Sequence, residues 1–287
     1  MKIDIHCHIF RQNATPKALR EQFSQFEGYG FYERIKEGVQ NIPSYKGNDI
    51  IEKTLYCIQE RAQLDKMILL PLSMAENEIV FEWCQRAPDV FIPFFNPPEK
   101  NMKGINPEQL LLDAIRIKGI KGLKIMNPFR KKFLDDEILY PSFELAQEYN
   151  LLVLMHTGYP PPGTKKNVLT YSNPLKIETI IQSFPKLKII IAHMGFPWVD
   201  TALALAVQYP NIYLDISNLS YMMPKRLRKF LLRAKELIGL NKILFGSDGF
   251  IPEMIELTVS QLEKADYLSE KDINRIMGLN AKMLLGL

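Results

Sequence analysis

The sequence predicts an α/β protein: one closed (β/α)8 barrel of the TIM type, a single domain with an insertion after its first strand. Three observations predict it. Eight short apolar runs of strand size recur along 287 residues, and each is followed by an amphipathic stretch of helical period. The runs are apolar on both faces, as parallel strands between a barrel interior and a helix layer must be. The length suits a barrel of this kind, which takes roughly 250 residues. An open doubly wound sheet is the alternative, but no G-x-G-x-x-G follows the first run, so its commonest ligand signature is missing.

The first run is KIDIHCH, residues 2–8. A strand sends alternate side chains to opposite faces, so Asp4, His6 and His8 are expected on one face and Ile3, Ile5 and Cys7 on the other. A long interval precedes the second run. Within it, 10–48 is rich in Phe, Tyr and Gly and forms the insertion, read either as a lid or wall over the strand ends or as a surface excursion. The helical stretch IEKTLYCIQERAQL then leads to KMILLPL (66–72). ENEIVFEWCQRA leads to VFIPFFN (90–96), PEQLLLDAIRI to IKGLKIM (120–126), and DEILYPSFELAQEY to LLVLMH (151–156). NPLKIETIIQSF precedes KIIIAH (188–193), VDTALALAVQY precedes NIYLDIS (211–217), and PKRLRKFLLRAKELIG precedes KILFGSD (242–248). PEMIELTVSQLEKA and the tail SEKDINRIMGLNAKMLLGL close the chain as helices. Nothing marks a second domain, so 1–287 reads as one.

Charged residues make up 24% and the net charge is only +4, with no basic stripe interleaved with aromatics, so no nucleic-acid partner is expected. The clusters at Arg130–Lys132 and Lys225–Lys229 read as solvated faces. Cys7, Cys57 and Cys84 form no CxxC pair and no disulfide framework, which suits a reducing compartment. The N-terminus carries no apolar leader, and no apolar run approaches the ~18 residues of a membrane span. A cytoplasmic protein with no membrane partner is expected.

The strand ends carry the chemistry. The first ends with His6 and His8, the fourth with Lys124, the fifth with His156, the sixth with His193 and the eighth with Asp248, so all four histidines of the chain are in the set. In a barrel these positions converge on one mouth, where catalytic groups sit. A polar mouth without metal is the plain alternative. Imidazole nitrogens and a carboxylate suit Zn²⁺ and its neighbours, and an open coordination position lets water ionise near neutral pH. Asp248 can both bind the ion and accept the proton. No G-x-S-x-G elbow, catalytic-looking Cys–His pair or phosphate loop supports a side-chain nucleophile.

The segments DIHCH, GLKIMNP, LMHTG, IIIAHMG and FGSDG, in that order, resemble the amidohydrolase superfamily, and more narrowly its amidohydrolase-related branch, which includes aminocarboxymuconate-semialdehyde decarboxylase. The likeness runs from residue 4 to NAKMLLGL. It implies a barrel holding one or two divalent ions, usually zinc and sometimes manganese. His6, His8 and Asp248 match ligands of the first metal. His156 matches a residue that joins that metal, or binds the second ion in two-metal members. His193 matches the catalytic histidine of one-metal members, or the other ligand of the second ion in two-metal members. Lys124 matches the lysine that is carboxylated and bridges two ions; its other reading is a free ammonium that binds a substrate carboxylate.

Arg130 and Arg11 could clamp a carboxylate bidentately. Tyr159 and Trp198, with Phe129, Phe196 and Phe250, could hold a ring, or simply pack loops. The expected function is metal-dependent hydrolysis of an amide, ester or lactone in a small, anionic substrate, with Asp248 and His193 as catalytic residues. Non-oxidative decarboxylation of a muconate-like or aromatic acid is the alternative, and a non-catalytic zinc-containing binding barrel comes third. An aldolase or sugar isomerase would want more carboxylate ligands than Asp248. A homodimer is common among such barrels, and assembly is left open.

Overall fold

The computed structural model describes residues 1–287 apart from 41, 44, 46, 101, 102, 105 and 160–168. Eight strands form one sheet in sequence order: β1 (Ile3–Cys7), β2 (Lys66–Leu69), β3 (Phe91–Phe95), β4 (Gly122–Ile125), β5 (Leu152–Met155), β6 (Lys188–Ile191), β7 (Ile212–Asp215) and β8 (Ile243–Leu244). Every neighbouring pair is parallel. Helices follow the strands, so the structure is the barrel expected. Alternate residues divide between two cores. Ile5, Ile68, Phe94, Leu154 and Ile190 fill the interior. Val153, Ile189, Leu214 and Phe143 belong to the larger cluster between strands and helices.

Two expectations are corrected. Strand β1 does not alternate as drawn. Ile3 and Ile5 pack in the interior cluster, whereas Cys7 packs in the outer one. The register with β2 shifts between Asp4 and Cys7, and that irregularity turns both histidines to the mouth. The last strand is two residues long rather than the seven of 242–248. Beyond it the Phe245 N–H bonds to the Ile276 carbonyl, off the ladder. Gly246 then passes so close to β1 that a Cβ there would lie 2.6 Å from the His6 Cβ.

The barrel closes where β8 meets β1. Ile5 N–H donates to the Phe245 carbonyl at 3.0 Å and Asp248 N–H to the His6 carbonyl at 2.8 Å. The buried Asp4 carboxylate reinforces this seam: its Oδ1 accepts from the backbone N–H of His6 and of Ser247, both at 3.0 Å.

The insertion forms helices α1 (Pro16–Gln22) and α2 (Gly30–Gln40). Thr15 caps α1 by accepting from Ala18 N–H, with proline in the first turn. Leu19, Phe23, Ile35 and Val39 pack on Tyr221, Ile251 and Met254 from the last barrel loops. A buried pair, Lys53 with Glu253 at 2.7 Å, supports this layer, and Lys53 also donates to the Ala14 carbonyl at 2.8 Å. Positions 41, 44 and 46 of the insertion lie outside the described residues. All three cysteines are unpaired. No described helix is long and apolar enough to cross a membrane.

Candidate metal centre

His6 and His8 leave β1 with their ring nitrogens already sorted. His8 Nδ1 lies 2.6 Å from the Leu70 carbonyl, which only accepts, so Nδ1 carries the hydrogen and Nε2 keeps its lone pair. His6 Nδ1 lies 2.9 Å from Asp215 Oδ2, with the same consequence. Burial, and then the Lys124 charge, push the His6 imidazolium well below its usual range, so the ring is neutral. Neutral imidazoles with a fixed outer hydrogen bond are ready ligands.

Asp248 completes the set. Its Oδ1 is 3.4 Å from His8 Nε2 and 3.9 Å from His6 Nε2. Ligand atoms each about 2.1 Å from one ion stand roughly 3 to 4 Å apart, so this donor set fits a divalent metal. Asn218 Nδ2 donates to the other oxygen at 3.0 Å and fixes the carboxylate's rotation. Burial opposes the ionised Asp248, yet the His6, His8 and His193 imidazoles outweigh it and hold the carboxyl below the usual range. Asp248 has φ 46°, Asn218 55° and His193 54°. All three lie in the left-handed region, which turns each side chain into the mouth past its strand end.

His193 presents Nδ1 at 2.8 Å from Ser217 Oγ and 3.2 Å from the Ser217 carbonyl, while its backbone N–H donates to Asp215 Oδ1 at 2.9 Å. His156 is buried in the same mouth, its ring 5.2 Å from that of His193, and its Nε2 faces the Tyr159 carbonyl at 3.2 Å. Burial, then the neighbouring His193, keep it neutral. Among the described residues, metal-type groupings are His6–His8–Asp248 and His6–His193–Asp215, and His156 joins neither. The second grouping is not a metal cage. Asp215 Oδ1 already accepts from the N–H of His193 and Ser217 and from the Ser217 hydroxyl, and Oδ2 takes His6. Lys124 is fully buried with Nζ 3.1 Å from His6 Nε2, and burial lowers it to about 8.

A cavity of about 690 Å³ opens above these groups. Phe10, Phe23, Phe196, Phe250 and Met222 give it apolar walls, and Leu19 of α1 brings the insertion against it. Arg11 and Tyr159 line it, and Arg11 makes no ion pair among the described residues. Arg130 and Trp198 stand elsewhere. The Arg130 guanidinium bonds to Asn96, to the Pro97 carbonyl and to Glu99. Trp198 opens the helix Val199–Gln208, its N–H on the Gly195 carbonyl. Asp215, Ser217 and Asn218 escaped the sequence reading. The available signal was Asp215 as the one charged residue inside NIYLDIS.

A family model described as amidohydrolase matches residues 3–287. Among curated proteins, Protein fluG of Emericella nidulans is 31% identical over 126 residues, a stretch covering 41% of this chain and 14% of that protein, so the chain spans only a small part of this relative's length. Among solved structures, a TIM-barrel protein of Bordetella bronchiseptica aligns over 99% of this chain and 98% of its own, with TM-score 0.73 and 19% identity. A 2,6-dihydroxybenzoate decarboxylase in complex with 2,6-dihydroxybenzoate aligns over 100% and 99%, with TM-score 0.68 and 17% identity. At such identities these two show a shared fold.

Proposed function

The chain belongs to the amidohydrolase family, and on that premise we propose that it is a metal-dependent hydrolase acting on an amide, ester or lactone of a small carboxylated substrate. One observation carries the proposal: His6 Nε2, His8 Nε2 and Asp248 Oδ1 converge while Asp215, Leu70 and Asn218 engage their other polar atoms. Two imidazoles and a carboxylate favour zinc, with manganese second and His156 or Lys124 available to extend the set. A divalent ion in such a site supplies Lewis acidity toward a carbonyl and acidifies water.

The chain's own groups do the rest. Asp248 accepts a proton from the attacking water and returns it to the leaving atom, so hydroxyl goes to the acyl carbon and hydrogen to the amine or alcohol. His193, lining the cavity, orients that water. Arg11, unpaired at the mouth, receives the substrate carboxylate, and Tyr159 and the phenylalanine walls hold the remainder and exclude solvent. Lys124 would hold a second anionic group or, carboxylated, would be a ligand for a second ion. The aromatic walls equally suit a ring acid, so decarboxylation is the second reading, with His193 delivering a proton to carbon. Unpaired Cys7, Cys57 and Cys84 support a reducing, cytoplasmic location.

The test is metal analysis of the full chain purified without chelator, then product analysis on carboxylated aryl esters, lactones and amides beside hydroxybenzoates. Bound metal with a new acid and no CO₂ supports hydrolysis. CO₂ release from the free acids supports the second reading. No stoichiometric metal and no effect of chelation overturns both.

A further inference from the structure

We infer that Asp215 is the positioning residue of the centre: one oxygen sets the tautomer of His6 and the other holds the turn that presents His193. This rests on the reading of His6 as a ligand. The inference starts from saturation. Asp215 is fully buried at the end of β7, and its carboxylate meets four donors from three strand ends. Oδ2 faces His6 Nδ1 at 2.9 Å. A carboxylate offers no hydrogen, so the hydrogen is on Nδ1 and the lone pair on Nε2, the atom 3.1 Å from Lys124 Nζ and 3.9 Å from Asp248 Oδ1. Oδ1 receives the N–H of His193 at 2.9 Å, the N–H of Ser217 at 2.9 Å and the Ser217 hydroxyl.

The His193 bond matters because of where that residue sits. His193 has φ 54° and Met194 φ 50°, two successive non-glycine residues in the left-handed region. Each is disfavoured for an L-residue, so the turn persists only if something outside it holds it. Asp215 Oδ1 is that support, and the turn carries the His193 ring to 5.0 Å from the His6 ring. Ser217 links the two rings, its Oγ 3.0 Å from His6 Nδ1 and 2.8 Å from His193 Nδ1. A single side chain thus aligns the ligand and the catalytic histidine.

Asp215→Asn separates the two roles. The amide oxygen can keep the three donors at Oδ1. The amide NH₂ must then occupy the Oδ2 place, where it faces His6 Nδ1 with hydrogens. His6 answers by moving its hydrogen to Nε2, which removes the lone pair a metal needs.

The experiment uses ¹⁵N imidazole correlation spectra of the full-length, metal-free protein, in which only four histidines report, with Zn²⁺ alone titrated alongside. Native His6 is expected as the Nδ1–H tautomer and Asp215→Asn as Nε2–H, with Zn²⁺ affinity lowered about 10- to 100-fold. Asp200→Asn, at an exposed carboxylate that pairs with Arg233 and does not line the cavity, is expected to keep the native tautomer and an affinity within about threefold. A native His6 carrying its hydrogen on Nε2 overturns the inference without any variant. So does an unchanged tautomer in Asp215→Asn, or an equal loss of affinity in Asp200→Asn, which would mean general disruption. If the native chain fails to bind Zn²⁺, the proposed function falls, while the tautomer of the metal-free protein still decides the role of Asp215.

Discussion

Replacing Lys124 by methionine should make the metal-free protein more stable. Lys124 is fully buried, its Nζ bonded to His6 Nε2 at 3.1 Å, and burial lowers it from 10.5 to about 8. At pH 7 the folded protein therefore still holds an ammonium, but one that burial makes less stable than it is in the unfolded chain. The shift corresponds to about 3 kcal/mol of strain in the folded state. Methionine removes that strain and forfeits the bond to His6, worth about 1 kcal/mol. The net expectation is about 2 kcal/mol in favour of Lys124→Met, or a Tm higher by about 3 °C for a chain of this size. The sign with pH is also fixed. Below pH 8 both states of the native protein are protonated and the cost is fully present. Between 8 and 10.5 the unfolded chain binds the proton and the folded one does not, so native stability rises with pH. Above 10.5 the cost is gone. Urea unfolding of both proteins, chelator-treated and in CO₂-free buffer, should show the variant's advantage at pH 7 shrinking as pH climbs from 8 toward 10. A variant no more stable at pH 7, or one whose advantage ignores pH, refutes the reasoning.

Asp248→Asn should keep the fold but lower kcat by about 100-fold or more on any substrate found, because the amide cannot take a proton from water; near-native turnover removes Asp248 as base. Lys53→Met should cost about 3 kcal/mol in denaturant unfolding, since Glu253 is left charged and buried without its partner at 2.7 Å; a cost below 1 kcal/mol would show the pair contributes little. Arg11→Ala should raise KM about tenfold for a carboxylated substrate and leave its neutral methyl ester unaffected, and equal effects on both would dismiss a carboxylate contact.

Most of the fold was legible because the eight apolar runs and their helices repeat in register with barrel geometry, and because His6, His8, His193 and Asp248 all fall at strand ends. What escaped has physical causes. A period-2 rule cannot anticipate the register shift between Asp4 and Cys7, so it puts Ile5 and Cys7 on one face although they pack in different cores. The run KILFGSD has strand composition throughout, but after Leu244 it leaves β7: the Phe245 N–H turns to Ile276, while the Phe245 carbonyl and the Asp248 N–H bond to β1. Asp215 hid inside an apolar run whose inward positions look alike until the barrel closes. Arg130 follows β4 as required of a mouth residue, yet its guanidinium meets Asn96 and Glu99 from the neighbouring loop. Sequence spacing locates strand ends. Side-chain rotamers and the partners that hold them come from the packed neighbours.

The seam between β1 and β8 has a consequence for synthesis. Ser247 and Asp4, which meet across it, are 243 residues apart in sequence. His6 and His8 are synthesised before Asp248, which follows them by about 240 residues. A nascent chain, or one cut anywhere before β8, carries the paired histidines without their carboxylate and lacks the strand that shuts the barrel. The proposed centre is therefore assembled only after β8 has been made, and metal held tightly there would report that the first and last strands of the barrel had met.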